Sequence, residues 1–449
     1  MKRLVIIGVL ASSLLFPFAC STFNHNLLVY DQLSPITRQY VPTDDGDYIF
    51  AVAVSGGGSR AAIFSAAVMK ELYRQIKLPD GRSITDEIDY ISSVSGGSLS
   101  MAYYCMNKPD VDSSHTDLYD KFYVQYLTDM RKDIGSGVLK KFFHWYRVFA
   151  TTEKKGLLLK EAFDKLYFYG LTFDEISQRQ KNGWCPTLIL NGTNMDTGSK
   201  FLFTTLTPND FDDAPEALVE SLSKTGFAKS DYHFGGDLLG ITFCNDIGLS
   251  IGDMEVSRGV VASGSVPFLL GPIVLKDQKQ SNPDDEFFTH IADGGISDNQ
   301  GITTVMQLII DRFVDLPERH YKGGLVIIID SNQAIDPSLS VNSVRGFNAL
   351  GTVERAMNIS VFRGKALTYI TIMFLMSADP RFKNITFVYI SPYQSNDPEI
   401  ITLFQETPTR FKIDPDKADN LERAAEIVVG KVKDELLNSY LPSIDRKKK

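Results

Sequence analysis

Tyr48-Ile49-Phe50-Ala51-Val52-Ala53-Val54-Ser55-Gly56-Gly57-Gly58-Ser59-Arg60 is the stretch whose reading decides the fold. Seven apolar residues rich in β-formers run into three consecutive glycines, and Ala61 to Ile76 then carries apolar residues at helical spacing. Strand, glycine turn and helix follow in that order. Ile88 to Val94, the turn Ser93-Val94-Ser95-Gly96-Gly97 and Leu99 to Cys105 repeat the scheme. Thr187 to Leu190, Leu325 to Ile329 and Ile385 to Ile390 are further buried-strand candidates, and Asn420 to Leu437 reads as an amphipathic closing helix. Strands that are apolar throughout and alternate with helices predict an α/β chain. The expected architecture is a three-layer α/β/α sandwich with a mainly parallel central sheet.

The two glycine turns carry the chemistry. A strand that ends in glycines aims free backbone N–H groups at whatever sits above the turn, and the second turn also projects the Ser95 hydroxyl. A sharp strand-to-helix turn crowds the positions two before and two after its serine, hence Gly-x-Ser-x-Gly. Gly97 fits this pattern, whereas Ser93 replaces the first glycine. The Gly96 N–H would lie next to the hydroxyl and serve an oxyanion, with Gly57 and Gly58 donating from the first turn. A phosphate-binding P-loop is not completed, because Ser59-Arg60 is followed by Ala61-Ala62 rather than Lys-Ser/Thr, and Ala61 stands where a dinucleotide fingerprint needs its third glycine.

Ser95 needs a base. Of the 6 histidines, only His320 would follow Asp293 in a Ser-Asp-His order, and it sits in the polar loop Asp315 to His320, where a solvated ring is expected. By contrast, Ile291-Ala292-Asp293-Gly294-Gly295-Ile296-Ser297-Asp298-Asn299 places a carboxylate at the end of an apolar run, followed by two glycines that leave it open to another turn. A carboxylate in such a partly desolvated place has a raised proton affinity and can take the serine proton directly.

Composition sets the outer limits. The chain has 449 residues, 43% hydrophobic and 22% charged, with a formal charge of -9. That suits an enzyme-sized core and argues against nucleic acid as a partner. Residues 1–20 read as a signal peptide, with Lys2 and Arg3 before the apolar run Leu4 to Leu15. Ala19-Cys20-Ser21 leaves two readings open: a lipoprotein signal in which Cys20 is acylated, or an ordinary cleavage site. The expected location is exported, either membrane-anchored or secreted and periplasmic. Residues 21–46 read as an irregular surface leader and residues 442–449 as a basic tail. Cys105, Cys185 and Cys244 lack metal-site spacing and read as buried thiols, two of which could pair in an oxidising compartment. No metal and no cofactor is expected.

Residues 113–181 form a helix-leaning, aromatic insertion. Within 139–149, Phe142, Phe143, Trp145, Tyr146 and Phe149 mix with Lys140, Lys141 and Arg147. Such a segment either lies at a lipid headgroup boundary or packs its aromatics into the core.

Taken in order, these blocks resemble the patatin-like phospholipases, lipid acyl hydrolases with a serine and aspartate dyad. Gly56-Gly57-Gly58-Ser59-Arg60 looks like the family's oxyanion loop, Ser93 to Gly97 like its nucleophile elbow, and Asp293-Gly294-Gly295 with Asp298-Asn299 like its aspartate motif. Asn191 to Gly198, Ala262 to Phe268 and Pro408-Thr409-Arg410-Phe411 resemble further family elements, so the likeness covers a catalytic domain at 47–441. The resemblance implies Ser95 as nucleophile, Asp293 as its base, and Gly57 and Gly58 as oxyanion donors. Gly56, Gly294 and Gly295 would support the loops. Arg60 would either bias its loop towards anionic groups or anchor the helix start through a surface ion pair, and Asp298 and Asn299 would fix the aspartate loop. It implies hydrolysis of phospholipid or related lipid esters at a membrane surface. A carboxylesterase or acyltransferase acting on other esters, or an inactive exported lipid-binding protein, are the alternatives.

Overall fold

The computed structural model describes residues 27–28, 48–134, 153–207, 211, 241–266, 270–277, 287–315, 321–333, 349–378, 380–407 and 409–447. The signal-like start with Cys20, the 139–149 segment, His320, Pro267-Phe268 and Pro408 lie outside the described residues. The strands are β1 (Leu27–Leu28), β2 (Tyr48–Val54), β3 (Tyr90–Val94), β4 (Thr187–Asn194), β5 (Lys200–Thr204), β6 (Ile241–Phe243), β7 (Ile273–Lys276), β8 (Phe288–Asp293), β9 (Gly323–Ile329) and β10 (Ile385–Ile390). The helices are α1 (Gly58–Gln75), α2 (Gly96–Asn107), α3 (Thr116–Met130), α4 (Glu153–Phe163), α5 (Phe173–Lys181) and α6 (Val256–Ser263). After them come the single turn α7 (Gly295–Asp298), then α8 (Ile302–Ile310), α9 (Ala349–Ala378), α10 (Pro398–Gln405) and α11 (Pro415–Lys447).

All the strands join one sheet in the order β1-β7-β8-β4-β3-β2-β9-β10, with β5 on β4 and β6 on β5. From β4 through β3, β2 and β9 to β10 every pairing is parallel. Antiparallel pairing enters where β8 meets β4 and β7, and where β5 meets β4. The architecture is the expected three-layer α/β sandwich. β2 shows why its sequence had to be apolar throughout. Phe50, Val52 and Val54 enter a core with Ile63 of α1, Leu99 of α2 and Val428 of α11, whereas Ile49, Ala51 and Ala53 enter a second core with Val305 of α8 and Ile372 of α9. Side chains alternate between faces, and both faces are covered.

The insertion is helical, and its described aromatics point inward except Tyr169, which is exposed. Tyr119, Tyr123 and Tyr126 of α3 are buried, Tyr123 stacking on Tyr73 of α1 at 4.9 Å and Tyr126 on Tyr103 of α2 at 5.1 Å. The leader is not wholly irregular, because Leu27 and Leu28 pair with Val274 and Leu275 of β7. A dipeptide beside an open sheet edge gains backbone hydrogen bonds there. Cys105, Cys185 and Cys244 are buried thiols.

Candidate active site

The register around β4 brings two distant segments together. β3 runs beside β4 until Val94 pairs with Asn191, and there the chain turns away at Ser95. One residue further along β4, Gly192 pairs with Asp293, the last residue of β8. β5 occupies the other edge of β4 over Ile189 to Thr193, so β8 arrives on the edge that β3 has vacated. The register thus sets the Ser95 side chain against the Asp293 carboxylate, whose proton affinity it helps to hold down.

Ser95 has φ 52° and ψ -119°, a left-handed conformation that a side-chain-bearing residue adopts only when its surroundings hold it there. Its N–H donates to Ser263 Oγ at 3.0 Å, and its carbonyl accepts from Leu99 N–H at 3.2 Å. Ser263 Oγ in turn donates to Asn191 O at 2.6 Å, and Ser98 Oγ lies 2.9 Å away. Asn191 completes the brace, donating from Nδ2 to Ser92 Oγ and to Ser93 O, both at 2.9 Å, while Thr304 donates to its Oδ1 at 2.7 Å. Ser93 takes the place of the motif's first glycine without disturbing the turn. Its hydroxyl is buried in this polar cluster and accepts from Ser98 Oγ at 3.2 Å.

The two glycine turns touch. Gly57 and Gly58 have φ of +141° and +60°, conformations that only glycine adopts without strain. A methyl group at Gly96 would overlap the Gly58 carbonyl oxygen, so α1 and α2 begin against each other only because no side chain stands between them. The neighbouring donors are engaged: Gly56 N–H bonds Asn299 O and Ser59 N–H bonds Arg410 O, each at 3.0 Å. Among the described residues, no acceptor meets the N–H groups of Gly57, Gly58 or Gly96. These glycines and Ser95 are half-buried members of otherwise buried turns. We expect Gly96→Ala to push the turns apart, lowering unfolding stability by about 3 kcal/mol, as overpacking does, and removing most activity; urea denaturation beside ester hydrolysis measures both.

Asp293 is buried, and desolvation raises its carboxyl from the ordinary 3.8 to about 6. Hydrogen bonds from Gly295 N–H, at 2.7 Å, and from Ser95 partly oppose that rise. His290 of β8 is not a relay: it is half-buried and its Nδ1 lies 2.9 Å from Asp196 Oδ1. Gly294 N–H bonds Ser263 O at 3.2 Å, tying the aspartate turn to the same serine that holds the elbow. Asp298 receives Thr303 N–H at 2.7 Å and Gln300 N–H at 3.1 Å, fixing the start of α8. Asn299 donates to Asn332 Oδ1 at 2.6 Å.

Arg60 differs from both sequence expectations. It is buried, donating from Nε to Ser331 O at 3.0 Å and from Nη1 to Thr407 O at 2.7 Å, with Phe404 beneath its guanidinium at 5.4 Å. Burial lowers its pKa to about 10. Its work is to clamp the first glycine turn to β9 and to the chain after α10. Sequence reasoning placed Ser263 and Asn191 inside family-like blocks without assigning them this bracing role. Their only local signal is a small polar residue directly before a glycine, at Asn191-Gly192 and Ser263-Gly264.

The family model for patatin-like phospholipases matches residues 52–306, more than half of the chain, and the chain belongs to that family. Among solved structures, the chain is similar to human GIVD cytosolic phospholipase A2, with 12% identity and a TM-score of 0.47 over 89% of this chain and 60% of that one. The same enzyme in complex with methyl gamma-linolenyl fluorophosphonate matches with 12% identity and a TM-score of 0.45, over 90% of this chain and 60% of that one. The chain thus spans about 60% of the length of these solved chains. No curated protein matches it.

Proposed function

We propose that this chain hydrolyses acyl esters of phospholipids or related lipids through a Ser95–Asp293 dyad. The observation that carries the reading is a hydroxyl on a strained turn, set against a buried carboxylate by the register of β4 and standing beside unpaired amide donors. Asp293 takes the Ser95 proton as Oγ attacks the ester carbonyl. Gly57, Gly58 and Gly96 N–H groups hold the tetrahedral oxyanion, and their dipoles need no rearrangement as charge develops. Protonated Asp293 passes its proton to the leaving alcohol. Asp293 then deprotonates a water that attacks the acyl-serine, and the fatty acid leaves with Ser95 restored. Every proton in this cycle moves through one carboxylate. The residues present are sufficient for these steps, and no group of ligating side chains among the described residues suggests a metal.

Parallel assays on micellar phospholipid and on a soluble short-chain ester test the substrate class. A lipid hydrolase turns over the micellar substrate faster. A preference for the soluble ester would mark a carboxylesterase on the same dyad, and transfer of the acyl group to an added alcohol in place of water would mark an acyltransferase.

A further inference from the structure

We infer that the outward face of α9 is the surface on which the chain rests against a phospholipid membrane or micelle, beside its catalytic opening; this rests on the lipid-hydrolase reading above. Along α9, Lys365, Tyr369, Ile372 and Met376 face the body of the protein, with Ile372 in the second core. The opposite side is apolar and open: Phe362 is 49% exposed, Leu367 64%, Ile370 62%, Met373 70% and Phe374 66%. At about 100° per residue these side chains fall within about 140° of the helix circumference, a continuous stripe rather than scattered positions. Soluble surfaces seldom leave such a stripe without an occupant.

Charge selects the occupant. The chain carries a formal charge of -9, yet Ala356 to Ala378 contains no Asp or Glu. Its basic residues are Arg363 and Lys365. Lys365 is engaged inward with the Asp330 carboxylate and with Tyr389 Oη, at 2.9 Å from the latter. Arg363 is exposed on the apolar stripe itself. A guanidinium among large apolar side chains suits an interface of acyl chains below and phosphates above. A two-fold dimer through the same face would bring two copies of Arg363 together in an apolar seam with no acid from Ala356 to Ala378 to pair them. Among the described residues no helix is long and apolar enough to cross a membrane, so α9 would lie in the headgroup plane.

Position completes the inference. Gln300 Nε2 lies 2.9 Å from Tyr369 Oη, and Asp330, which receives Lys365, precedes Ser331, whose hydroxyl bonds Gly56 O at 3.2 Å. α9 also packs on α7, the turn that follows Asp293, where Ile296 is 40% exposed. The inner face of α9 is thus fastened to the backs of both catalytic loops, and lipid docked on its outer face lies next to the opening.

Flotation of the full chain with vesicles tests this, using a Ser95→Ala, Cys20→Ser parent so that neither turnover nor an acyl anchor contributes. The parent is expected to float with phosphatidylcholine vesicles containing phosphatidylglycerol. The triple substitution Leu367→Glu, Met373→Glu, Phe374→Glu should lower partitioning about tenfold or more, and Arg363→Glu should weaken binding to the mixed vesicles more than to phosphatidylcholine alone. Val124→Glu on α3, 66% exposed, should change neither. With Ser95 restored, the triple variant should lose vesicle hydrolysis while keeping its rate on a soluble ester, which also shows that it folds. A triple variant that floats like its parent overturns the inference, as does a lipid-free dimer that the triple substitution dissolves without altering flotation. If the unsubstituted chain hydrolyses no ester yet the triple substitution abolishes flotation, the catalytic reading fails and the docking surface stands.

Discussion

Ser95→Ala is expected to abolish labelling by a fluorophosphonate and to lower ester hydrolysis by about 10³–10⁶-fold, the range seen when a nucleophile that acts with its base is removed. The loss should be almost purely chemical. Alanine inherits the same left-handed backbone, which is imposed by Ser263 and the start of α2 rather than by the Ser95 side chain. The thermal midpoint of the variant should therefore stay near that of the parent, and the Gly57, Gly58 and Gly96 donors remain in place. Labelling followed by peptide mapping, with hydrolysis measured beside it, decides the matter. Activity within about tenfold of the parent would leave the acyl-enzyme account without its nucleophile.

Asp293→Asn should cost activity about as heavily, since no second base stands by among the described residues to take the Ser95 proton, yet it should stabilise the fold. The sign follows from the carboxyl group's shift. Its proton affinity in the folded chain is raised from 3.8 to about 6, so the stability it contributes is fully present below pH 4 and is lost as pH rises through 6. Above that pH the buried carboxylate weighs against folding by about 3 kcal/mol. The neutral amide has no such desolvation cost and its oxygen can still accept from Gly295 N–H. At neutral pH the thermal midpoint of Asp293→Asn should accordingly rise. In the parent, kcat/KM should climb with pH through about 6 and level off above it, because the base works only when ionised. A flat profile across that range, or a variant less stable than the parent at neutral pH, would contradict the assignment.

Much of this fold can be read from the sequence because its central strands are buried on both faces. The runs Tyr48 to Val54 and Ile385 to Ile390 coincide with β2 and β10, and the glycine turns fall where strands pass into helices. The strands around β8 were harder to read. Phe288, Thr289 and His290 are only half-buried, so their stretch lacks the apolar continuity that marks a central strand, although its last residues, Ile291 to Asp293, are buried. Helix α9 left no clear signal for a different reason. Its outward face is apolar too, and the contrast between inner and outer faces that marks an amphipathic helix is weak.

The site divides along the same line. Sequence alone determined the two glycine turns, the serine of the second turn and a carboxylate at the end of an apolar run, because strain and close backbone approach restrict which residues can stand there. It also pointed to the patatin-like phospholipase family, which the family match bears out. Tertiary structure decided that Asp293 comes to Ser95. That meeting depends on β8 joining β4 antiparallel at the residue after β3 departs, a register set by pairing across the sheet and not by either strand's own residues. Tertiary structure likewise turned Arg60 from a loop cation into a buried clamp and made Ser263 the brace of the Ser95 and Asp293 turns. A side chain's chemistry is fixed by its type, but its proton affinity, its partner and its role depend on what the fold packs around it.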